Sequence, residues 1–274
     1  MSSFNDKNIL ITGGAGGIGL RMGRLALEEQ AANLVIWDID QNNIEEAKLH
    51  LRPEGDRLHT FYVDVSDSDQ VYRAAEQVVE QLGHIDILIN NAGIVVGGPF
   101  DSQQKEDIER TIAVNLLGVM HTTRAFLPHM KKRASGHIVN IASAAGHMGN
   151  PNMAVYAGSK WGVIGWSESL RIELRKEGLP IRLTSVEPGY INTGMFEGVT
   201  PPKLTPLLDP EKFSRNVIKA VIQNRIHLRT PFMVKLLPFL KGVLPTRIFD
   251  FVAGNLFQVY HSMDTFAGHR PKEN

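Results

Sequence analysis

The chain contains no cysteine. That excludes a disulfide framework, a thiol nucleophile and any metal site built on thiolates. It has no excess charge of either sign, since 29 Lys and Arg balance 29 Asp and Glu for a formal net charge of zero. A neutral chain lacks the broad basic footprint of nucleic-acid binding, so no nucleic-acid partner is expected. No apolar run approaches the ~18 residues of a membrane span. The opening M-S-S-F-N-D-K-N has no apolar signal core either, and the expectation is a cytoplasmic protein without a transmembrane span. The ten histidines are scattered, with no H-E-x-x-H and no close His/Asp cluster, so no metal site is expected. What remains is ordinary globular composition: 43% hydrophobic, 21% charged, with 25 Gly and 14 Pro over 274 residues. That is ample for a full core in one domain, two at most.

Short apolar runs alternate with helix-length stretches from the start. Residues 9–12, 34–37, 58–63, 85–89, 137–141 and 181–186 read as buried strands, rich in branched aliphatics. Stretches near 17–31, 41–50, 67–82, 103–133 and 153–177 read as helices, the third opening on the cap-like Ser66 and Asp67. Strands separated by helices imply right-handed crossovers and an α/β, doubly wound parallel sheet covered on both faces. The composition changes near residue 198, where Pro201, Pro202, Pro206 and Pro210 mark a loop. A helix-like stretch at 210–223 and an apolar, aromatic-rich tail follow.

The first strand runs into T-G-G-A-G-G-I-G, Thr12 to Gly19. Of its five glycines, Gly13, Gly17 and Gly19, with Ile18 between the last two, set the spacing between a strand and a helix in the first βαβ unit. Glycine there lets the backbone approach a pyrophosphate, and the helix N-terminus offers free N–H groups. The second strand ends in Asp38, 19 residues beyond Gly19, where a dinucleotide-binding fold places the acid that holds the adenosine ribose. A carboxylate there repels a 2′-phosphate, and no Lys or Arg lies within Gly13 to Gly19 to offset it. NAD is therefore expected in preference to NADP.

Further motifs follow in order. Asp64-Val65 comes after the third strand, and N-N-A-G from Asn90 through Asn91 and Ala92 to Gly93 ends the fourth. Asn115 lies in V-N-L-L-G, Ser143 ends the fifth strand, Tyr156 and Lys160 form Y-x-x-x-K, and Pro188-Gly189 with Ile191 and Thr193 follows the sixth. With the glycine turn, these resemble the short-chain dehydrogenase/reductase family over residues 7 to about 198. The resemblance implies a Rossmann-type fold and oxidoreductase activity. It implies an adenine site at Asp64 and Val65, a cofactor-side turn at Asn91, Ala92 and Gly93, and a nicotinamide amide contact at Thr193.

Tyr156 and Lys160 are four apart on one helix face. A free phenol with a pKa of about 10 is a poor base; a nearby ammonium and the charge of an oxidised nicotinamide favour the phenolate. Tyr156 is then the general acid/base, taking the alcohol proton as hydride leaves the same carbon. Ser143 stabilises the substrate oxygen. The resemblance implies that Lys160 also holds the nicotinamide ribose and that Asn115 organises a water relay behind it. His147 is read either as a pocket residue or as a surface histidine, and the basic run Lys131-Lys132-Arg133 as a solvated helix end.

Seven aromatic residues fall in 231–266, among them Phe232, Phe239, Phe249 and Phe251. Ile248, Val252, Leu256 and Tyr260 recur at helical spacing. The tail reads as a structural cap on the sheet or another subunit, as the wall of a lipophilic channel, or as a peripheral membrane contact. I-N-T-G-M-F, Ile191 to Phe196, and the end segment Ser262 to Phe266 resemble the retinol dehydrogenase and 17β-hydroxysteroid dehydrogenase branch, which implies a lipophilic alcohol or carbonyl substrate. Animal members of that branch usually carry an N-terminal anchor, which is not expected from the few polar-leaning residues before the first strand. The reading is a single domain, with residues 1–198 as dinucleotide-binding and catalytic core and 199–274 as a mostly helical substrate-side extension. A homodimer or homotetramer paired through 103–133 and 153–177 is expected. The alternatives are a reductase of small ketones or 3-oxoacyl groups, and a catalytically idle NAD-sensing protein.

Overall fold

Branched aliphatic runs flanked by amphipathic helices build seven parallel strands in the computed structural model, which describes residues 3–266. The strands are β1 Asn8–Thr12, β2 Asn33–Asp38, β3 Leu58–Tyr62, β4 Ile87–Asn90, β5 Gly136–Ile141, β6 Ile181–Pro188 and β7 His227–Thr230, in the order β3-β2-β1-β4-β5-β6-β7. The helices are α1 Gly17–Glu28, α2 Gln41–His50, α3 Ser68–Leu82, α4 Lys105–Ile112, α5 Gly118–Arg133, α6 Ala154–Lys176, α7 Pro210–Ile222, α8 Phe232–Val243 and α9 Thr246–Phe251. The fold is thus the expected Rossmann-type sheet in a single domain. Strand order reverses between β1 and β4, which opens a crevice at the carboxyl ends of the strands.

Both faces of the sheet are buried, as the strand sequences demand. Ile9 and Ile11 pack with Leu34, Ile36 and helices α1, α2 and α7 on one side. Leu10, Val35, Trp37, Leu88 and Ile138 face α3, α5 and α6 on the other, with Trp37 5.7 Å from Phe126. Aspartates cap three helices: Asp40 accepts from Asn42 and Asn43, Asp67 from Asp69 and Gln70, and Asp209 from Lys212 ahead of Pro210. Each such cap is worth about 1 kcal/mol.

Three local features depart from the sequence reading. The helix at 103–133 is interrupted by a π-helical turn, Ala113–Leu117, between α4 and α5. The seventh strand, H-L-R-T, gave no pattern to read, because only Leu228 is buried on this edge. The basic end of α5 is ion-paired rather than simply solvated: Lys131 meets Glu177 at 2.7 Å and Arg133 meets the buried Asp86 at 3.0 Å.

Candidate active site

The glycine turn needs glycine for reasons visible in the backbone. Gly13 and Gly17 hold φ of +60° and +52°, the left-handed region. A Cβ on Gly19 would stand 2.1 Å from the Gly13 carbonyl oxygen, and one on Gly13 would stand 2.9 Å from the Ala92 Cα. The α1 N-terminus has no side-chain cap, so its first N–H groups point to the crevice without one. Asp38 closes the turn, its Oδ2 accepting from the Ala15 N–H at 3.0 Å and its Oδ1 from Asp40 at 3.1 Å. Thr12 Oγ1 accepts from the Asn91 and Ala92 N–H groups at 3.0 and 3.1 Å, while Asn91 Nδ2 donates to the carbonyls of Thr12 and Gly13. A dense turn of small residues, an uncapped helix end and a carboxylate after β2 fit the pyrophosphate and ribose of a dinucleotide. Asp64 lies beyond β3, where its carboxylate accepts from Ser66. The adjoining Val65 carbonyl would be 2.9 Å from a Cβ on Gly118.

Ser143 extends from β5 and caps the short turn Ala144–Gly146 by accepting from the Ala145 N–H at 3.1 Å. Its side chain also lies near enough to the Tyr156 phenol to favour the ionised form. Tyr156 is buried among Val95, Met153 and Met263, with Phe196 edge-on at 6.3 Å. Lys160, one turn on, is buried too; its Nζ donates to the Ile141 carbonyl at 2.8 Å and lies 5.8 Å from the Tyr156 ring centre. Burial pushes the Tyr156 phenol up to about 12, against the lowering effect of Ser143, and brings the lysine down to about 8. The lowering of the phenol expected from the neighbouring ammonium is not found: desolvation and Tyr190 raise its pKa, and the group that opposes them is Ser143.

Asn115 sits in the π-helical turn, fully buried. Its Oδ1 accepts from the Ile94 N–H at 2.8 Å and its Nδ2 donates to the Ile94 carbonyl and to Ser159 Oγ. A π-turn re-aims one residue of a helix and is frequent at functional sites. Here it clamps the chain after N-N-A-G beside α6, so that a Cβ on Gly93 would lie 3.3 Å from Asn115 Oδ1 and 3.6 Å from Lys160 Nζ.

Beside Ser143 and Tyr156 opens a cavity of about 110 Å³, continuous with solvent at its mouth. Gly189 and Tyr190, after β6, form one margin, and Ala145, Met148 and Met153 a second. The tail supplies the rest: Met233, Val234, Leu237 and Leu240 from α8, Phe249 from α9, and Phe257 and Val259 beyond. Ile191 bridges to Leu208, and the Thr193 N–H donates back to the Ile191 carbonyl in the loop that follows. Thus the glycine turn, Asp38, Asn91, Ala92 and Gly93 gather at the crevice, while Ser143, Tyr156 and Gly189 face the cavity.

Sequence reasoning missed a polar knot in the cavity wall. Asn150 Nδ2 donates to Tyr190 Oη and Ser262 Oγ, both at 3.0 Å, and the two hydroxyls are 2.8 Å apart. The end segment thereby closes over the site, with Phe266 against Gly97. The only advance signal was the resemblance of Ser262 to Phe266. His147 proves to be neither a pocket wall nor a surface residue; it is tied to the buried Glu187. Among the described residues no cluster of metal ligands occurs and no helix is long and apolar enough to cross a membrane.

Comparison with known proteins places this geometry. A family model described as short chain dehydrogenase matches residues 7–203. Epidermal retinol dehydrogenase 2 of Mus musculus is 38% identical over 268 residues, covering 96% of this chain and 86% of that protein. Estradiol 17-beta-dehydrogenase 11 of Rattus norvegicus is 37% identical over 243 residues, 88% of this chain and 81% of that one. A short chain dehydrogenase/reductase from Burkholderia phymatum, solved in complex with NAD, aligns with a TM-score of 0.79 at 25% identity over 91% of this chain and 95% of its own.

Proposed function

This chain belongs to the short chain dehydrogenase family and is an oxidoreductase acting on CH–OH groups, and from that premise we propose that it interconverts a lipophilic alcohol and its carbonyl with NAD. The observation that carries this reading is the cavity: Ser143 and Tyr156 stand at one end of a space walled by aliphatic and aromatic side chains of the tail, with almost no polar lining. Burying a long or polycyclic apolar substrate there yields about 25 cal/mol per Å² removed from water. The names of the relatives speak of retinol and estradiol, which are molecules of that class. Residues 1–198 supply the cofactor and catalytic groups in this reading, and 199–274 the substrate side.

The cofactor supplies the hydride acceptor, and everything else falls to the chain. Gly13, Gly17, Ile18 and Gly19 with the α1 N-terminus bind the pyrophosphate, and Asp38 binds the adenosine ribose. Asp64 and Val65 bind adenine. Asn91, Ala92, Gly93, Pro188, Gly189, Ile191 and Thr193 line the nicotinamide half, where Lys160 holds the ribose. Ser143 donates to the substrate oxygen, Tyr156 exchanges the proton with it, and Asn115 with Lys160 forms the route behind the phenol. Because burial keeps Tyr156 protonated at neutral pH, the resting site is set to give a proton to a carbonyl oxygen. Oxidation therefore accelerates as pH rises.

The tail has an outward face as well. Phe232, Phe239, Val243, Ile248 and Phe251 are exposed on α8 and α9 among Lys235 and Arg247, which suits peripheral contact with an anionic bilayer. Leu117, Trp161 and Ile172 are exposed on or beside α5 and α6, which suits pairing of two or four copies; a monomeric mass in light scattering at micromolar concentration refutes that pairing.

The test is a panel of small and long-chain alcohols assayed with NAD and NADP side by side. The reading predicts that kcat/KM rises with apolar chain length and that NAD is the better acceptor. A preference for small ketones or 3-oxoacyl groups overturns the substrate class, and NAD binding with no turnover of any alcohol or carbonyl supports a sensor instead. Asp38→Ala is expected to shrink the NAD/NADP ratio of kcat/KM by about tenfold, the loss of one charge-assisted hydrogen bond to the ribose. An unchanged ratio removes Asp38 from cofactor selection.

A further inference from the structure

Near its end, strand β6 carries a carboxylate that the proposed reaction does not use. Glu187 is fully buried, where an unpartnered carboxylate is strongly unfavourable. Three donors surround it. His147 Nε2 and Arg229 Nε reach Oε2 at 2.7 and 2.5 Å, and His227 Nδ1 reaches Oε1 at 2.8 Å. Burial alone would raise the Glu187 pKa, but hydrogen bonds from His147, His227 and Arg229 outweigh burial and hold the group ionised, far below the usual carboxylate range.

Two of the donors come from β7, whose register sets Arg229 opposite Glu187. The third comes from the active-site loop. His147 follows Ser143 by four residues, directly after the Ala144–Gly146 turn. Its carbonyl accepts from Lys241 Nζ of α8 at 3.0 Å, and the same ammonium lies 3.9 Å from the centre of the Trp161 ring on α6. One line of contacts thus runs from Glu187 through His147 to Lys241 and Trp161. It joins the two sides of the cavity, with Met148 and Asn150 beside His147 and Leu237 and Leu240 beside Lys241.

We propose that Glu187, acting through His147, is a positioning residue that fixes the Ser143 loop against the α8 wall and so sets how a bulky alcohol presents its oxygen to Ser143 and Tyr156. The proposal rests on the functional reading for the bulky substrate, but not for the contact line itself. Small alcohols need only Ser143 and Tyr156, whereas a long chain must also fit between the loop and α8. Loosening the line therefore affects binding of large substrates before it affects chemistry on small ones.

The experiment compares His147→Ala, His147→Gln and Lys241→Met in the full-length enzyme. Glutamine is the conservative variant because its side-chain N–H stands near the ring Nε2 it replaces. Steady-state kinetics with 1-decanol and 1-butanol are paired with hydrogen–deuterium exchange of residues 143–150 and 232–243. His147→Ala is expected to raise KM for 1-decanol about tenfold, with KM for 1-butanol within about twofold and faster exchange in both segments. His147→Gln restores KM to within about threefold of the parent, and adding Lys241→Met to His147→Ala costs little more, because the two act on one line. Equal losses on both alcohols, unchanged exchange in α8, or no rescue by glutamine overturns the proposal. If the unmodified enzyme turns over neither alcohol, the functional reading fails while exchange alone decides the positioning.

Discussion

Replacing Tyr156 with phenylalanine is expected to lower kcat about 10³-fold in both directions while NADH affinity stays within about twofold. The substitution removes one oxygen and little else. The ring keeps its contacts with Val95, Met153 and Met263 and its edge-on packing with Phe196. Ser143 loses the phenol but keeps its cap on Ala145. Folding has no reason to suffer, since the ring stays packed and only the phenol oxygen is removed from the site. Stopped-flow single turnovers and calorimetric titration with NADH check the two halves of the expectation. A kcat within tenfold of the parent assigns the proton transfer elsewhere. The pH profile gives a second readout: oxidation by the parent climbs with pH as the phenol ionises, and the variant's residual rate loses that slope.

The parts of this site that were legible in the sequence are those where covalent structure fixes the geometry. Gly13, Gly17 and Gly19 announce themselves because the positive φ of the first two favours glycine and a Cβ on the third would stand 2.1 Å from a carbonyl oxygen. Tyr156 and Lys160 share a helix face by spacing alone. Asn115 was half legible: an asparagine inside a helix is unfavourable, which signals a purpose, but the π-turn that re-aims it leaves no pattern. The rest depends on packing across long separations. Glu187 meets His147 across 40 residues and His227 across another 40, and the register of β6 on β7 that brings them together is not written locally. The α8–α9 segment defeats periodicity because both its faces are apolar: Leu237 and Leu240 face the cavity while Phe239 and Val243 face outward. A tail so composed reads equally as cap, channel wall or membrane contact until the cavity is seen.

Lys160→Met is expected to lower kcat at least about 10²-fold and, unlike Tyr156→Phe, to change how stability depends on pH. The ammonium is buried and, among the described residues, has one hydrogen-bond partner, the Ile141 carbonyl. Burial lowers its pKa from 10.5 to about 8. Between those values the unfolded chain still holds a proton that the native state has released, so stability rises with pH across that window. Below pH 8 both states are protonated and the full cost of the buried charge is present, on the order of 3 kcal/mol. Tyr156 acts in the opposite sense but only at higher pH: its native pKa is about 12, so its contribution falls between 10 and 12 as the unfolded phenol ionises first. The interval from pH 8 to 10 therefore isolates Lys160. Methionine fills the same path without a charge, at the cost of an undonated Ile141 carbonyl, about 1–3 kcal/mol. Urea denaturation of both proteins at pH 7, 8.5 and 10 gives the difference directly, because every other titrating group cancels. The parent gains about 2–3 kcal/mol on the variant over that range; a difference flat with pH means that the native lysine titrates normally. At neutral pH the ammonium is thus a stability cost retained beside the phenol, and a variant equal to or more stable than the parent at pH 7, yet nearly inactive, is the combination that a functional lysine predicts and a structural one does not.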